Sequence, residues 1–276
     1  MRRRVRGLLW AVAGVGLLGG CERAEPQAQA GPGQATPMRT APRNAGGRAA
    51  PRRVRRPVAS RVRPASRDPF AIDPQMALRP RFTVVANRTW QTVTYLGSEG
   101  DRIPALFRGA RRPGRRPAVI LGHGHGGDAR SMADFFGPAF SRRVHVLAVN
   151  HPFHGHTRRV RGEDICPRDP EKLVTRWIRA VRDLRHALRV LASRRDVDPK
   201  RIGYLGFSLG GCLGGLFAAH EPRLRAAVLV APAADWKVLA GTNSSWHIGW
   251  RKQPLGRWLK VPRFARRLAI IDPART

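Results

Sequence analysis

The amino-acid sequence predicts an α/β fold in which a mostly parallel sheet is covered by helices on both faces. Strand-like and helix-like segments alternate from about residue 81 onward, and such alternation needs crossover connections between parallel strands. Two segments, PAVILGHG and Val144–Asn150, are largely apolar, which is typical of strands buried on both faces. A chain of 276 residues, 42% of them hydrophobic, has room for one such domain and an appendage.

The elements follow one another in a regular order. RFTVVAN, WQTVTYLG and RIPALFRG predict three strands ahead of the two apolar ones. A long helix then begins at Asp169-Pro170, an N-cap followed by a first-turn proline. Apolar residues spaced by three and four positions predict its buried face: Leu173, Trp177, Val181, Leu184, Leu188 and Leu191. Asp198-Pro199 is predicted to separate this helix from the strand RIGYLGF, after which come a helix opening at Ser208 and the strand LRAAVLVAP.

The first 21 residues have the pattern of an export signal. Four arginines precede the uncharged run Gly7–Gly20, which is shorter than the about 20 residues of a bilayer span. The run ends in LGGC, which resembles the lipobox of bacterial lipoproteins, although Gly19 stands where that box usually has Ala or Ser. The resemblance implies that Cys21 is acylated and anchors the exported protein on a membrane surface of the cell envelope. An ordinary secretory signal with a chance cysteine is the alternative.

Residues 22–69 are predicted to form a disordered tether. They consist largely of Ala, Pro, Gly and Arg, with almost no large apolar residue to bury. Such a segment cannot offset the entropy of ordering its backbone. The folded domain is therefore predicted to span residues 70–276.

The formal charge of +34 is distributed too evenly to indicate a nucleic-acid partner. Only five of the 52 basic residues are lysine, and the arginines are spread through predicted helices, loops and tether. A binding surface would concentrate them on one face, with a recognisable motif or interleaved aromatic residues. A codon bias toward arginine explains the spread better, and we expect no nucleic-acid binding.

The stretch GFSLGG, Gly206–Gly211, lies between a predicted strand and a predicted helix. A G-x-S-x-G pattern at such a turn is the nucleophile elbow, in which two glycines leave room for a sharp turn that exposes the serine oxygen. Ser208 is therefore predicted to be a catalytic nucleophile, with a structural turn serine as the alternative.

An oxyanion formed at Ser208 needs N–H donors, and two are predicted from the sequence. One is the main-chain N–H of Leu209, and the loop LGHGHGG at residues 121–127 supplies the second. Through VILGHGHGG, VNHPFHGHT and RIGYLGFSLGG, the chain resembles the α/β-hydrolase superfamily over roughly residues 81–232, in particular exported serine esterases of the dienelactone-hydrolase and acetyl-xylan-esterase type. The resemblance implies a three-layer α/β sandwich that hydrolyses small or acetylated esters through an acyl-enzyme, without a cofactor. It also implies that the His125 N–H completes the oxyanion hole.

Histidines and cysteines allow two further structures, a metal site and a disulfide. Two close groups of histidines could ligate a metal: His123, His125, His151, His154 and His156. HGHGGD partly matches the H-x-H-x-D-H of metallo-β-lactamase-like hydrolases, but Gly127 and Asp128 stand where that motif has aspartate and histidine, so no metal is expected. Cys166 and Cys212 could pair in an exported chain, although Cys212 is better explained as a small buried residue.

The sequence leaves the base and the acid that would serve Ser208 open. The resemblance implies the order nucleophile, acid, histidine, with the last two on loops after later strands. His220 is excluded because it lies about 18 Å from Ser208, near the far end of the same helix. Asp235, just beyond VLVAP, and His247, in a Trp-rich segment, are the remaining candidates.

The resemblance also implies that the sheet lacks its C-terminal strands, together with the loops that usually carry the acid and the histidine. A weak catalyst is therefore expected from this chain. A serine peptidase or an acyltransferase on the same fold remains an alternative, as does a non-catalytic surface binding module or a truncated remnant.

Overall fold

The computed structural model describes residues 68–84, 89–140, 143–154, 164–241, 247–248, 251–252 and 255–275. The predicted signal with Cys21 and nearly all of the predicted tether lie outside these ranges. The last two tether residues do contact the domain: Asp68 lies 3.4 Å from the Arg185 guanidinium, and the Pro69 carbonyl accepts a 2.9 Å hydrogen bond from Arg182. Within the described ranges, no helix is both long enough and apolar enough to cross a membrane.

The described residues contain nine strands and six helices. The strands are β1 (Arg81–Thr83), β2 (Gln91–Leu96), β3 (Arg102–Arg108), β4 (Arg116–Gly122), β5 (His145–Val149), β6 (Val197–Phe207), β7 (Ala226–Val230), β8 (His247–Ile248) and β9 (Arg251–Lys252). The helices are α1 (Ala129–Phe140), α2 (Pro170–Ala192), α3 (Leu209–His220), α4 (Trp236–Gly241), α5 (Leu255–Leu259) and α6 (Pro262–Leu268). A short 3-10 turn at Ala269–Ile271 follows α6.

Seven strands form one mixed sheet in the order β1-β2-β3-β5-β4-β6-β7. Strands β5, β4, β6 and β7 pair with one another in parallel. The pairs β1–β2, β2–β3 and β3–β5 are antiparallel. The predicted α/β class is therefore confirmed. In the pairing of β4 with β6, Gly122 lies opposite Gly206. This register brings the loop after β4 beside the turn after β6.

The predicted separator Asp198-Pro199 is wrong, because both residues lie inside β6, which begins at Val197. The ladder between β4 and β6 shifts register here: Arg116 pairs with Val197, and Ala118 pairs with Ile202. Such an irregularity leaves residues of β6 outside the regular pairing, which is how a strand accommodates a proline that has no N–H to donate.

Helices cover both faces of the sheet and enclose two apolar cores. Helix α2 begins as predicted, since the Asp169 carboxylate accepts hydrogen bonds from the N–H groups of Glu171 at 2.9 Å and Lys172 at 3.3 Å. All six apolar residues predicted for its inner face are buried in the larger core, together with much of α3. The second core lies under α1. Cys166 and Cys212 are both buried and free, so they do not form the disulfide that export would allow.

Candidate active site

Ser208 occupies the turn between β6 and α3 in a strained backbone conformation. Its φ of +50° and ψ of −113° lie in a region that residues with a side chain rarely adopt. Two main-chain hydrogen bonds, one to β7 and one within α3, hold the turn. The Ser208 N–H donates to the Val230 carbonyl of β7 at 2.8 Å, and the Ser208 carbonyl accepts from the Cys212 N–H at 3.0 Å. Strain of this kind at a strand-to-helix turn is the geometry of a nucleophile elbow.

Glycines around Ser208 allow three backbone segments to meet. A Cβ added to Gly206 would lie 2.3 Å from the Gly210 carbonyl oxygen, and one added to Gly210 would lie 2.3 Å from the Gly122 carbonyl oxygen. Neither distance is possible without movement of the backbone. The first turn of α3 therefore packs directly on the end of β4, at the entrance to the loop that follows it.

Tyr204 supports the elbow from below. Its side chain is buried, and its hydroxyl donates a 2.7 Å hydrogen bond to the Gly210 carbonyl. Burial raises the pKa of this phenol well above its ordinary value, so the hydroxyl keeps its proton and remains a donor. The underside of the elbow is thus held by a hydrogen bond that does not titrate near neutral pH.

The loop after β4, residues 123–127, passes against the elbow, and we refer to it as the oxyanion loop after the role that the sequence predicts for it. A Cβ built on Gly124 would lie 3.4 Å from the Ser208 Cβ. The Gly127 N–H donates to the Gly124 carbonyl at 3.2 Å, Gly126 has a φ of +82°, and His125 keeps a negative φ. These features define a type II turn with Gly126 as its third residue.

Two N–H groups next to Ser208 are left available by this geometry. In the oxyanion loop, the Gly126 N–H donates to His154 and the Gly127 N–H donates to Gly124. Among the residues that the structure describes, the N–H groups of His125 and Leu209 make no hydrogen bond. The first belongs to the turn beside Ser208, and the second opens α3, where the helix dipole favours negative charge. These are the two donors predicted from the sequence.

His123 in the oxyanion loop and His151 in the loop after β5 are both neutral. His123 is buried, its Nδ1 donates to the Gly124 carbonyl at 2.8 Å, and its Nε2 accepts from the His151 N–H at 3.1 Å. Burial lowers the pKa of His123 to about 4, and burial also lowers that of His151 well below its ordinary value. His156 lies outside the described residues. The described histidines act here as hydrogen-bonding groups that connect the oxyanion loop to the loop after β5.

Asp164 is a site residue that the sequence analysis missed. Its Oδ1 lies 3.1 Å from the His125 Nε2 and also accepts the Cys166 N–H at 2.9 Å. Although partial burial raises the pKa of Asp164, the hydrogen bonds from His125 and Cys166 hold that pKa below its usual range. The carboxylate is therefore ionised at neutral pH. No local motif marks EDICP as part of the site, because the contact joins residues 39 positions apart.

The side chains of His125, Asp164 and Cys166 could together hold a metal ion, since their ligand atoms all lie within 4.8 Å of one another. Burial raises the pKa of the Cys166 thiol well above its ordinary value, and the negative charge of Asp164 raises it further. Without a metal the sulfur therefore holds its proton, and a metal that bound here would have to displace it. In the metal-free chain, Asp164 supports His125 through the contact between its Oδ1 and the His125 Nε2.

The sequence candidates for acid and base lie in different surroundings. The Asp235 carboxylate caps α4, accepting from the N–H groups of Lys237 at 3.0 Å and Val238 at 3.2 Å. His247 pairs with Lys252 in the short β8–β9 ladder. His220 lies at the far end of α3, where its Nδ1 is 3.3 Å from Asp68. Among the described side chains, neither Asp235 nor His220 is hydrogen-bonded to Ser208, and the His247 side chain lies outside the described part of the chain.

The oxyanion loop and the elbow both lie in a part of the chain that matches a known family. A family model for the alpha/beta hydrolase fold matches residues 117–273, which is more than half of the chain and includes the oxyanion loop and the elbow. The chain belongs to the alpha/beta hydrolase fold family. This membership accounts for the sheet order and for the serine turn at the carboxyl end of β6.

Two curated relatives match this alpha/beta hydrolase chain over part of their length. YtaP of Bacillus subtilis (strain 168), named as a hydrolase, is 31% identical over 161 residues, which cover 52% of this chain and 53% of YtaP. Monoacylglycerol lipase ABHD6 of Bos taurus is 24% identical over 156 residues, covering 55% of this chain and 40% of ABHD6. The chain thus spans about half the length of these relatives, or less.

Two solved structures share the fold over a larger part of the chain. Acetyl xylan esterase 1 from Thermoanaerobacterium sp. JW/SL YS485 has a TM-score of 0.58 at 17% identity and covers 75% of this chain and 71% of its own. The acetyl xylan esterase from Paenibacillus sp. R4 has a TM-score of 0.56 at 20% identity, and the match covers 72% of this chain and 69% of that esterase. At such identities the likeness concerns the fold.

Proposed function

We propose that this chain is a serine hydrolase that cleaves carboxylic esters of small or acetylated substrates through an acyl-enzyme. One observation carries the proposal: Ser208 is held in a strained turn between β6 and α3, beside the available N–H groups of Leu209 and His125. A structural serine would not need this strain, which costs roughly 1–3 kcal/mol and is characteristic of functional sites.

The chemistry follows from this geometry. The Ser208 Oγ attacks the ester carbonyl carbon, and the carbonyl oxygen becomes an oxyanion that accepts hydrogen bonds from the N–H groups of His125 and Leu209. The hydroxyl proton passes to a solvent water, because among the described residues no side-chain base is hydrogen-bonded to Ser208, and acylation is therefore slow. The carbon–oxygen bond to the alcohol then breaks, and the alcohol leaves with a proton. Water attacks the acyl-enzyme by the same route, releasing the acid and restoring the Ser208 hydroxyl.

The substrate class is supported by the names of proteins that share the fold or part of the sequence. Acetyl xylan esterases are among the structural neighbours, and a monoacylglycerol lipase is among the relatives. All three names describe the hydrolysis of an oxygen ester. A peptidase or an acyltransferase would use the same elbow, but neither is named among these proteins.

Hydrolysis of 4-nitrophenyl esters tests the proposal. We expect slow, Ser208-dependent turnover of the acetyl ester, and still slower turnover as the acyl chain is lengthened. Ser208→Ala should remove this turnover, whereas Ser193→Ala, a control serine at the C-cap of α2, should retain it. Equal turnover by the Ser208→Ala and wild-type proteins would refute the serine mechanism.

We also propose that acylation of Cys21 anchors the protein to a membrane surface of the cell envelope, as the LGGC sequence suggests. Cys21→Ser should move the protein from the membrane fraction to the soluble fraction, while Cys166→Ser, a control in the domain, should not. Identical fractionation of Cys21→Ser and wild type would contradict the anchor.

A further inference from the structure

We propose that His154 and Asp164 are positioning residues that hold the oxyanion loop in its active shape. This inference rests on the proposed function, because it concerns how the His125 N–H is presented to the substrate at Ser208. Each of the two side chains is bonded to a different part of the loop, and neither would touch the reacting atoms. Together they fix His125 from both sides.

His154 sets the orientation of the peptide that follows His125. It is buried, and its Nε2 accepts a 2.6 Å hydrogen bond from the Gly126 N–H. In a type II turn the central peptide, here His125–Gly126, is rotated by about 180° relative to a type I turn. A glycine at the third position permits both orientations, so the sequence alone does not choose between them. The acceptor on His154 selects the type II orientation.

Asp164 fixes the side chain of His125. The 3.1 Å contact between its Oδ1 and the His125 Nε2 holds the imidazole in one position, with the proton of Nε2 directed at the carboxylate oxygen as acceptor. The His125 ring also packs edge-on against His154, with ring centroids 4.9 Å apart. The backbone at His125 is thereby constrained through its side chain as well as through the following peptide.

Asp164 is itself held against the domain. Its carboxylate accepts the Cys166 N–H, and its carbonyl accepts a hydrogen bond from the Arg176 guanidinium on α2. The same guanidinium lies 4.6 Å from the centre of the Phe153 ring, beside His154 in the chain. The two positioning residues are therefore tied to one another and to the long helix, which makes them a rigid support for a glycine-rich loop.

Loosening the oxyanion loop should weaken stabilisation of the transition state more than it weakens substrate binding. An oxyanion donor stabilises charge that develops during the reaction, and removing one typically costs about 100-fold to 1000-fold in kcat. A loop that is loosened, with the donor still present, should lose less, about 10-fold to 100-fold. The KM should change little, because the ground-state carbonyl accepts weaker hydrogen bonds.

Paired substitutions separate positioning from stability. Asp164→Asn and His154→Gln keep an oxygen that accepts the same hydrogen bond, whereas Asp164→Ala and His154→Leu remove the acceptor. Asp169→Ala is the matched control, because Asp169 caps α2 near the same region without contacting the loop. For each full-length variant, the measurements are kcat and KM on 4-nitrophenyl acetate, the inhibition constant of an alkyl boronic acid, and Tm.

We expect Asp164→Ala and His154→Leu to lower kcat by about 10-fold to 100-fold, with KM within about 3-fold of wild type. The boronic acid, which forms a tetrahedral adduct on a serine, should lose affinity by a similar factor. Asp164→Asn and His154→Gln should recover kcat to within a few fold. Asp169→Ala should lower Tm and leave kcat unchanged.

Three outcomes overturn the inference. In the first, the wild type shows Ser208-dependent turnover but both acceptor-removing variants keep wild-type kcat, so the proposed function survives without the positioning role. In the second, the Asn and Gln variants are as impaired as the Ala and Leu variants, and the loss then does not follow the hydrogen bonds. A wild-type chain with no Ser208-dependent turnover removes the proposed function and this inference together. Because the Asn and Gln variants keep the packing, they carry the test if an Ala or Leu variant fails to fold.

Discussion

The substitution Gly210→Ala places one methyl group between the elbow and the oxyanion loop. The added Cβ would lie 2.3 Å from the Gly122 carbonyl oxygen, 2.6 Å from the Gly122 carbonyl carbon and 2.8 Å from the His123 carbonyl oxygen. Ordinary contacts of this kind are about 3.5 Å, so β4 and α3 must separate by about 1 Å. Overpacking of a core costs about 1–3 kcal/mol, against about 1 kcal/mol gained from alanine in a helix.

Activity should therefore suffer more than stability. A displacement of about 1 Å at a catalytic group costs about 100-fold in rate, whereas the net loss of stability should be about 0–2 kcal/mol. Gly215→Ala is the control on the same helix, because its added Cβ meets nothing closer than the Pro273 Cβ at 3.2 Å. Both variants are compared by kcat/KM on 4-nitrophenyl acetate and by urea unfolding. If Gly210→Ala keeps a kcat/KM within about 3-fold of Gly215→Ala, the claimed contact between elbow and loop is wrong.

Three further predictions concern buried groups. Burial lowers the pKa of His123 from an ordinary 6.5 to about 4, so the contribution of its neutral imidazole to the free energy of unfolding is complete above pH 6.5. The difference in that free energy between wild type and His123→Gln should fall by about 3 kcal/mol as the pH drops to 4. Burial raises the pKa of Asp183 to about 7, so the charged carboxylate destabilises the folded chain once the pH exceeds that value. Urea unfolding at pH 8 should therefore give Asp183→Asn a larger free energy of unfolding than wild type. An unchanged or smaller free energy would contradict the burial argument. Tyr204→Phe removes the hydrogen bond to the buried Gly210 carbonyl and should cost about 1–3 kcal/mol by the same assay; no loss would mean that this bond does not support the elbow.

The fold was largely predictable from the sequence because its main signals are local. Largely apolar runs predicted β4 and β5, and the spacing of apolar residues after Asp169 predicted α2 and its buried face. The error at Asp198-Pro199 arose because a proline normally interrupts a strand, while here a register shift beside β4 accommodates it.

The candidate site was predictable only where its chemistry has a local pattern. G-x-S-x-G specifies a turn that few residues can form, so the sequence predicted the strained turn at Ser208 and the helix start at Leu209 directly. Asp164 and His154 act on the oxyanion loop from 39 and 28 positions away, and no spacing rule connects them. Asp235 was singled out as a possible acid because it follows β7, but an aspartate at such a position also caps the next helix, and that is the contact it makes.

The central claim, that Ser208 is a nucleophile, is tested most directly by covalent labelling. A fluorophosphonate reacts with an activated serine by attack of Oγ on phosphorus and loss of fluoride. After incubation of the full chain, peptide mass spectrometry should find a single adduct on Ser208, abolished by Ser208→Ala and slowed by Gly210→Ala but not by Gly215→Ala. An unmodified Ser208, or an adduct distributed over several serines at equal rates, would contradict the account.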